Sequence, residues 1–282
     1  MNRWLYAGAV VATTALMGSS FAVGKVGLQY APPILLVGVR FTLAGLLMAA
    51  AVWKRPKPST LGGWMRIGVI GLFQTAGVMG FIFTSLRTIP ASESSILTFT
   101  NPLLVIVLTT VFFGTRYRER QWFGVGLGLL GVFVTLGLHV HLRSGTILGL
   151  LGALSWAVAT LLIHRWGSTL DIWTLTAYQM LFGGSLLLAG SLVLEHPWFV
   201  LNTASVGIVL WLAVMASIVQ FSIWFLLLQR GDPGKTSAFL FLAPFFGVLS
   251  GWLILGEPIT GVVAVGGALI AASLVLVNLP QH

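Results

Sequence analysis

Apolar stretches close to the ~20 residues that a helix needs to cross the ~30 Å hydrocarbon core of a bilayer recur along this chain with almost nothing between them. They run near 4–24, 33–53, 64–86, 91–113, 121–139, 146–166, 172–194, 204–228, 235–255 and 258–279, ten in all. No gap exceeds about a dozen residues, so there is no room for a separate soluble domain. A β-barrel would need alternating segments of about ten residues, and runs such as 148–154 and 185–194 do not alternate. The expectation is an all-α integral membrane protein with ten transmembrane helices.

Composition supports the lipid-facing reading. The 282 residues are 57% hydrophobic and 7% charged, against about 25% charged in a soluble domain. With so little to show to water, most of the outside must face lipid. The 34 Gly and 11 Pro lie within apolar stretches, where membrane helices tolerate them, and this excludes disordered and collagen-like chains. A net charge of +9 would suggest nucleic acid in a soluble protein. Here the basic residues sit in short clusters between apolar runs, so no nucleic-acid partner is expected. The absence of Cys removes disulfides, thiol nucleophiles and Cys-ligated metals.

Arg3 and Ser20-Phe21-Ala22 imitate a cleaved secretory signal. Cleavage would leave nine spans and destroy the repeat described next, so residues 4–24 are read as the first span. Basic residues orient the chain. With a cytoplasmic N-terminus, eleven lie at inner ends (Arg3, Lys54, Arg55, Lys57, Arg66, Arg116, Arg118, Arg120, Arg165, Arg230, Lys235) and three at outer ends (Lys25, Arg87, Arg143). Both termini are therefore expected in the cytoplasm, in the inner membrane of a bacterium.

The second half repeats the first. At an offset of 142, Ser95, Phe99, Pro102, Gly114, Gly124 and Leu127 meet Ser237, Phe241, Pro244, Gly256, Gly266 and Leu269. Earlier the offset is 139, which sets Arg40 against Gln179, and a three-residue insertion near 196–202 accounts for the change. Five spans is an odd number, so the copy at 141–282 enters the membrane inverted relative to that at 1–140. Inverted repeats are a transporter signature, because one set of contacts supplies conformations open to either side.

Gly18-Ser19-Ser20-Phe21, Arg40-Phe41, Asn101-Pro102, Ala243-Pro244 and Gly256-Glu257-Pro258, in this order and spacing, resemble the EamA-type members of the drug/metabolite transporter superfamily. The resemblance covers residues 4–279 and implies an exporter of small metabolites, amino acids and aromatic amino acids among them. Members often carry Gly-Glu after the fourth span of each half. The first half reads Gly114-Thr115 instead, so a symmetric role for Glu257 is not implied.

The residues themselves suggest a site. Pro102 and Pro244 each remove a backbone donor, at corresponding places in the fourth and ninth spans, and read as hinges beside a central cavity. Ser94, Thr98 and Asn101 share one helical face, which serves either a watery cavity or interhelical hydrogen bonds of about 0.6 kcal/mol each. The matching residues Thr236, Leu240 and Ala243 are less polar, so the cavity would have a polar and an apolar wall. Gln220 and Trp224 on the eighth span (with Ser217), Gln74 and Phe81 on the third, Trp156 on the sixth and Phe239 on the ninth complete the candidate substrate-binding set. Arg40 lies about seven residues into the second span, where charge is expensive and usually functional. Its nearest candidate counter-charge is Glu93, as a structural or outer-gate pair, with a carboxylate-binding site as the alternative.

These residues favour a secondary transporter of small amphipathic solutes, working as a monomer among lipids by alternating access. Drug-like or nucleoside-like cargo is the nearby alternative. An intramembrane enzyme would need acids, nucleophiles or metal ligands deep in the spans, and no acid lies there. Neither a metal nor a cofactor is expected. Gly231-Asp232-Pro233-Gly234-Lys235-Thr236 imitates a phosphate loop, but Gln229 stands where the first Gly belongs and no strand precedes it. The pairs Gly124/Gly128 and Gly247/Gly251 read as close helix contacts within the bundle.

Overall fold

The computed structural model describes residues 3–114, 116–135, 143–230, 240 and 242–278, and these form helices and connecting turns without a strand. We number the helices α1 (Arg3–Gly27), α2 (Pro33–Ala51), α3 (Leu61–Ser85), α4 (Ala91–Phe113), α5 (Glu119–Thr135), α6 (Ser144–Trp166) and α7 (Ile172–Leu194). α8 runs from Thr203–Leu210 through Trp211–Val219 into Gln220–Arg230, and α9 (Leu242–Leu255) and α10 (Gly261–Asn278) follow. Seven helical stretches, one each in α1–α4 and α6–α8, are long and apolar enough to cross a membrane. Leu242–Leu255 and Gly261–Val277 are shorter apolar helices. The expected ninth span began at 235, and Phe239 and the phosphate-loop imitation at 231–236 lie outside the described residues. So do His139, His141 and Thr115.

The packing inverts that of a soluble protein. Phe112 and Val193 are 72% and 83% exposed, while small hydroxyl residues such as Thr13, Ser85, Ser94 and Ser273 are wholly buried. In hydrocarbon, helix association relies on close backbone approach and internal hydrogen bonds. Accordingly a side chain on Gly18 would come within 2.5 Å of the Ala243 carbonyl oxygen, and one on Gly45 within 2.5 Å of the Leu181 nitrogen. The paired glycines serve such contacts inside the bundle: Gly124 faces Val277 and Ser273 of α10, and Gly247 faces Ser95 of α4.

Helices pair across the two halves of the chain: α1 with α9, α2 with α7, α5 with α10, α3 with α6, and α1 with α8. Three irregularities recur at corresponding positions. α3 contains a π-helical stretch at Leu72–Gly77, and α8 contains one at Trp211–Val219. α4 and α9 each end in a left-handed glycine, Gly114 at φ 62° and Gly256 at φ 66°. Pro102 follows a break at Phe99 and Thr100 that divides α4 into Ala91–Thr98 and Asn101–Phe113. Pro244, its counterpart at the repeat offset, lies within Leu242–Leu255 of α9.

Candidate functional site

Where the halves meet, the helices enclose a cavity of about 530 Å³, within the range of small-molecule sites. Its lining extends to the helix ends at Tyr117, Gln121, Ile172 and Val277. Its walls combine amides (Gln74, Asn101, Gln179) and hydroxyls (Thr160, Thr176) with the rings of Trp156 and Trp224. Beyond Met17, Gln74, Trp156 and Phe221, which belong to both spaces, lies a smaller chamber of about 40 Å³ lined also by Arg40, Thr98 and Gln220. About 10–15 Å³ holds one water, so the chamber has room for a few polar atoms and the outer cavity for a small molecule.

The π-helical stretches position the polar groups. A π turn displaces side chains from ordinary helical register and is frequent at functional sites; that of α3 carries Gln74 into the wall. Each stretch also receives a polar side chain from the opposite half. Arg40 of α2 donates from Nε to the Ser217 hydroxyl at 3.0 Å and from Nη2 to the Ala216 carbonyl at 2.9 Å. Gln179 of α7 accepts from the Thr75 hydroxyl at 2.6 Å. Arg40 also lies over the rings of Phe41 and Phe83, 4.6 and 5.6 Å from their centroids.

The structure brings Gln74, Asn101, Pro102, Trp156 and Trp224 to the main cavity and Thr98, Gln220 and Arg40 to the chamber. It separates others. Ser94 is held by the Ser85 hydroxyl of α3, 2.8 Å away, and lines neither space. Phe81 lies beside Gly152 of α6, and it is Phe83 that lines the chamber. Pro244 is buried in α9 and lines neither space. The expected Arg40–Glu93 pair does not form: Glu93 accepts from the Thr146 hydroxyl at 3.1 Å, and Arg40, at 1% exposure, reaches inward to α8.

Gln179 and Thr176 line the cavity without having been singled out by sequence. The signal for Gln179 was available, since the repeat offset sets it opposite Arg40.

Outside the lining of both spaces, two carboxylates of the second half are each seated on a helix start of the first. Glu195 accepts from the Ile34 and Leu35 N–H groups, both at 3.1 Å. Glu257 accepts from the Ala91 N–H at 2.7 Å and the Ser92 N–H and hydroxyl at 3.0 and 2.8 Å, with Lys25 Nζ at 3.4 Å. Anions are favoured at such helix starts. Burial pushes the Glu257 carboxyl up, but the bonds from Ser92 and Ala91, with the Lys25 charge, outweigh it and hold it below the usual carboxylate range. Tyr30 adds a backbone bond, its carbonyl accepting from the Val200 N–H at 2.8 Å.

An apolar exterior around an amide- and ring-lined cavity that reaches deep between the helices defines a multi-pass membrane protein that handles small solutes. The chain belongs to the EamA-like transporter family, whose pattern matches residues 4–137 and again 143–279. It is 30% identical to the probable amino-acid metabolite efflux pump of Escherichia coli, over 91% of this chain and 89% of that one. It is 27% identical to the uncharacterized inner membrane transporter YedA of the same organism, over 98% and 91%. It is also 30% identical to a WAT1-related chloroplastic protein of Arabidopsis thaliana, over 94% and 67%. A solved crystal structure shares the fold with a TM-score of 0.68 over 96% of each chain at 22% identity. Family and relatives point to a membrane transporter rather than an enzyme.

Proposed function

We propose that this protein exports small amphipathic solutes, amino acids and aromatic amino acids among them, by alternating access. In this reading all ten helices cross the membrane, and residues 1–140 and 141–282 are inverted repeats. The twofold family match, the paired π stretches and the paired left-handed glycines support it. Both termini face the cytoplasm, as the basic residues favour, so the cavity opens inward and the Glu195 and Glu257 end is the closed outer gate. Pro102 and Pro244 are the hinges.

The observation that carries this reading is the cavity itself. It reaches deep between helices of both halves, with amides for a polar head and two Trp rings for an apolar body. The relative named an amino-acid metabolite efflux pump supports amino acids as the cargo class. Counterflow in proteoliposomes tests it: internal unlabelled phenylalanine or leucine should drive uptake of the labelled compound. Exchange of drug-like or nucleoside-like solutes with none of any amino acid would replace the cargo, and chemical conversion of the solute would replace transport.

A further inference from the structure

Among the described residues Arg40 is the one charged residue lining either space, and no acid lines them. Among the described residues the ion pairs are Lys25–Glu257 and Arg55–Asp171, and neither reaches Arg40. A buried charge without a counter-charge is costly, the more so in a membrane. Ser217, Ala216 and two aromatic faces satisfy part of the guanidinium, but Nη1 is buried without a partner. Gln220, 3% exposed and lining the same chamber, has a buried Nε2 also without a partner. Two unmet donors, one cationic, therefore belong to residues facing a space of head-group size.

We infer that the chamber receives the carboxylate of the transported solute, with Arg40 Nη1 and Gln220 Nε2 as its donors. This rests on the cavity being the solute path, and adds which end of the solute leads. The carboxylate passes the Met17, Gln74, Trp156 and Phe221 neck while the body stays between Trp156 and Trp224. The protein would therefore select carboxylated solutes over their neutralised analogues, and an unchanged side chain would not compensate for a lost carboxylate. The same donors could hold an inorganic anion, which the test separates.

Binding to the purified full-length protein is measured for phenylalanine, phenylalaninamide, phenylacetate and chloride, with counterflow in parallel. Phenylalanine should bind roughly tenfold or more tightly than its amide, the scale of a lost hydrogen-bonded charge partner, and phenylacetate should bind as well. Arg40→Met should abolish the preference by weakening only the carboxylates. Gln220→Glu, which installs an internal carboxylate beside Arg40, should do the same and serves if Arg40→Met does not fold. A preference that survives either folded variant overturns the site, as does chloride binding without discrimination between acid and amide. Counterflow that treats acid and amide equally removes the Arg40 site and leaves the transport reading standing. Phenylacetate binding that depends on Arg40, with no amino-acid counterflow, keeps the site and removes the amino-acid cargo.

Discussion

Two turns of the same shape end α4 and α9. Gly114 and Gly256 stand at φ 62° and 66°, each donating its N–H four residues back, to Thr110 and Trp252. After Gly256 comes Glu257, which crosses to the other half and holds the start of α4 by three hydrogen bonds and Lys25. After Gly114 comes Thr115, which has no charge to offer. One substitution between equivalent turns thus separates a latched end from an open one. The Arg55–Asp171 pair at the open end is 3.9 Å long and half exposed on its Arg side, and exposed pairs contribute little. Under the proposed alternating access, the end held by Glu257 and Glu195 is the one expected to rest closed.

Removing that carboxylate should have the largest effect. Glu257→Ala unseats a helix-start anion and leaves Lys25 only its bond to the Ile89 carbonyl at 2.8 Å, a loss of about 2 kcal/mol. The chain has no Cys, so a single cysteine at Ser20, which lines the chamber, reports opening. Its labelling from outside intact cells should accelerate more than about tenfold; unchanged labelling would mean that the latch sets no bias. Acid should mimic the substitution. The Glu257 carboxyl titrates below its ordinary 4.5 in the closed form, so the latch holds above that value and is lost only as pH falls through the lowered one. Labelling that rises already near neutral pH would assign the response to another group.

The prolines sharpen the contrast along one helix. α4 runs from the latch at Ala91 to the turn at Gly114, broken between them at Phe99 and Thr100. Pro102→Ala restores a backbone donor and should straighten the break by about 1 kcal/mol, slowing turnover about fivefold with substrate affinity little changed. Pro244→Ala, at a position that lines neither space, should do less. Equal effects would mean that the two prolines bend alike.

A smaller effect separates the walls of the open cavity. Asn101→Ala should weaken every substrate by about 1 kcal/mol. Trp224→Ala should weaken aromatic solutes beyond aliphatic ones by about 0.5–1.5 kcal/mol. Concentration-dependent uptake of phenylalanine and leucine reads both, and unchanged dependence in both variants would put the cavity walls elsewhere.

Apolar helices could be read from the sequence because apolar length against bilayer thickness is a one-dimensional constraint, and α2 and α4 fall where it put them. The site was half legible. Trp156, Trp224, Gln74 and Asn101 were found by helical spacing from chain features, and they do line the cavity. Spacing failed for Ser94, which Ser85 of α3 holds instead, and no residue pattern announced the π stretches that set Gln74 and Ser217. It also failed for pairs between helices. Arg40 was matched with the nearest acid, Glu93, because charge is visible in a sequence, whereas the Ser217 hydroxyl and Ala216 carbonyl that hold it are defined by the α2 and α8 contact.

The finest test of the two turns leaves the carboxylate in place and disturbs only its aim. A residue with a Cβ is strained at positive φ, so Gly114→Ala and Gly256→Ala should each cost about 1 kcal/mol of stability. Neither glycine has an atom close enough to clash with an added methyl, which makes the two costs comparable and purely conformational. Thermal unfolding should therefore fall alike in both variants. Their effect on the gate should differ. Relaxing the Gly256 turn moves Glu257, whose own N–H is tied to the Gly251 carbonyl at 3.1 Å, away from Ala91 and Ser92. Labelling at the Ser20 position should then rise a few-fold in Gly256→Ala and stay unchanged in Gly114→Ala. Equal labelling would show that the turn merely ends the helix and that Glu257 finds its donors from either backbone.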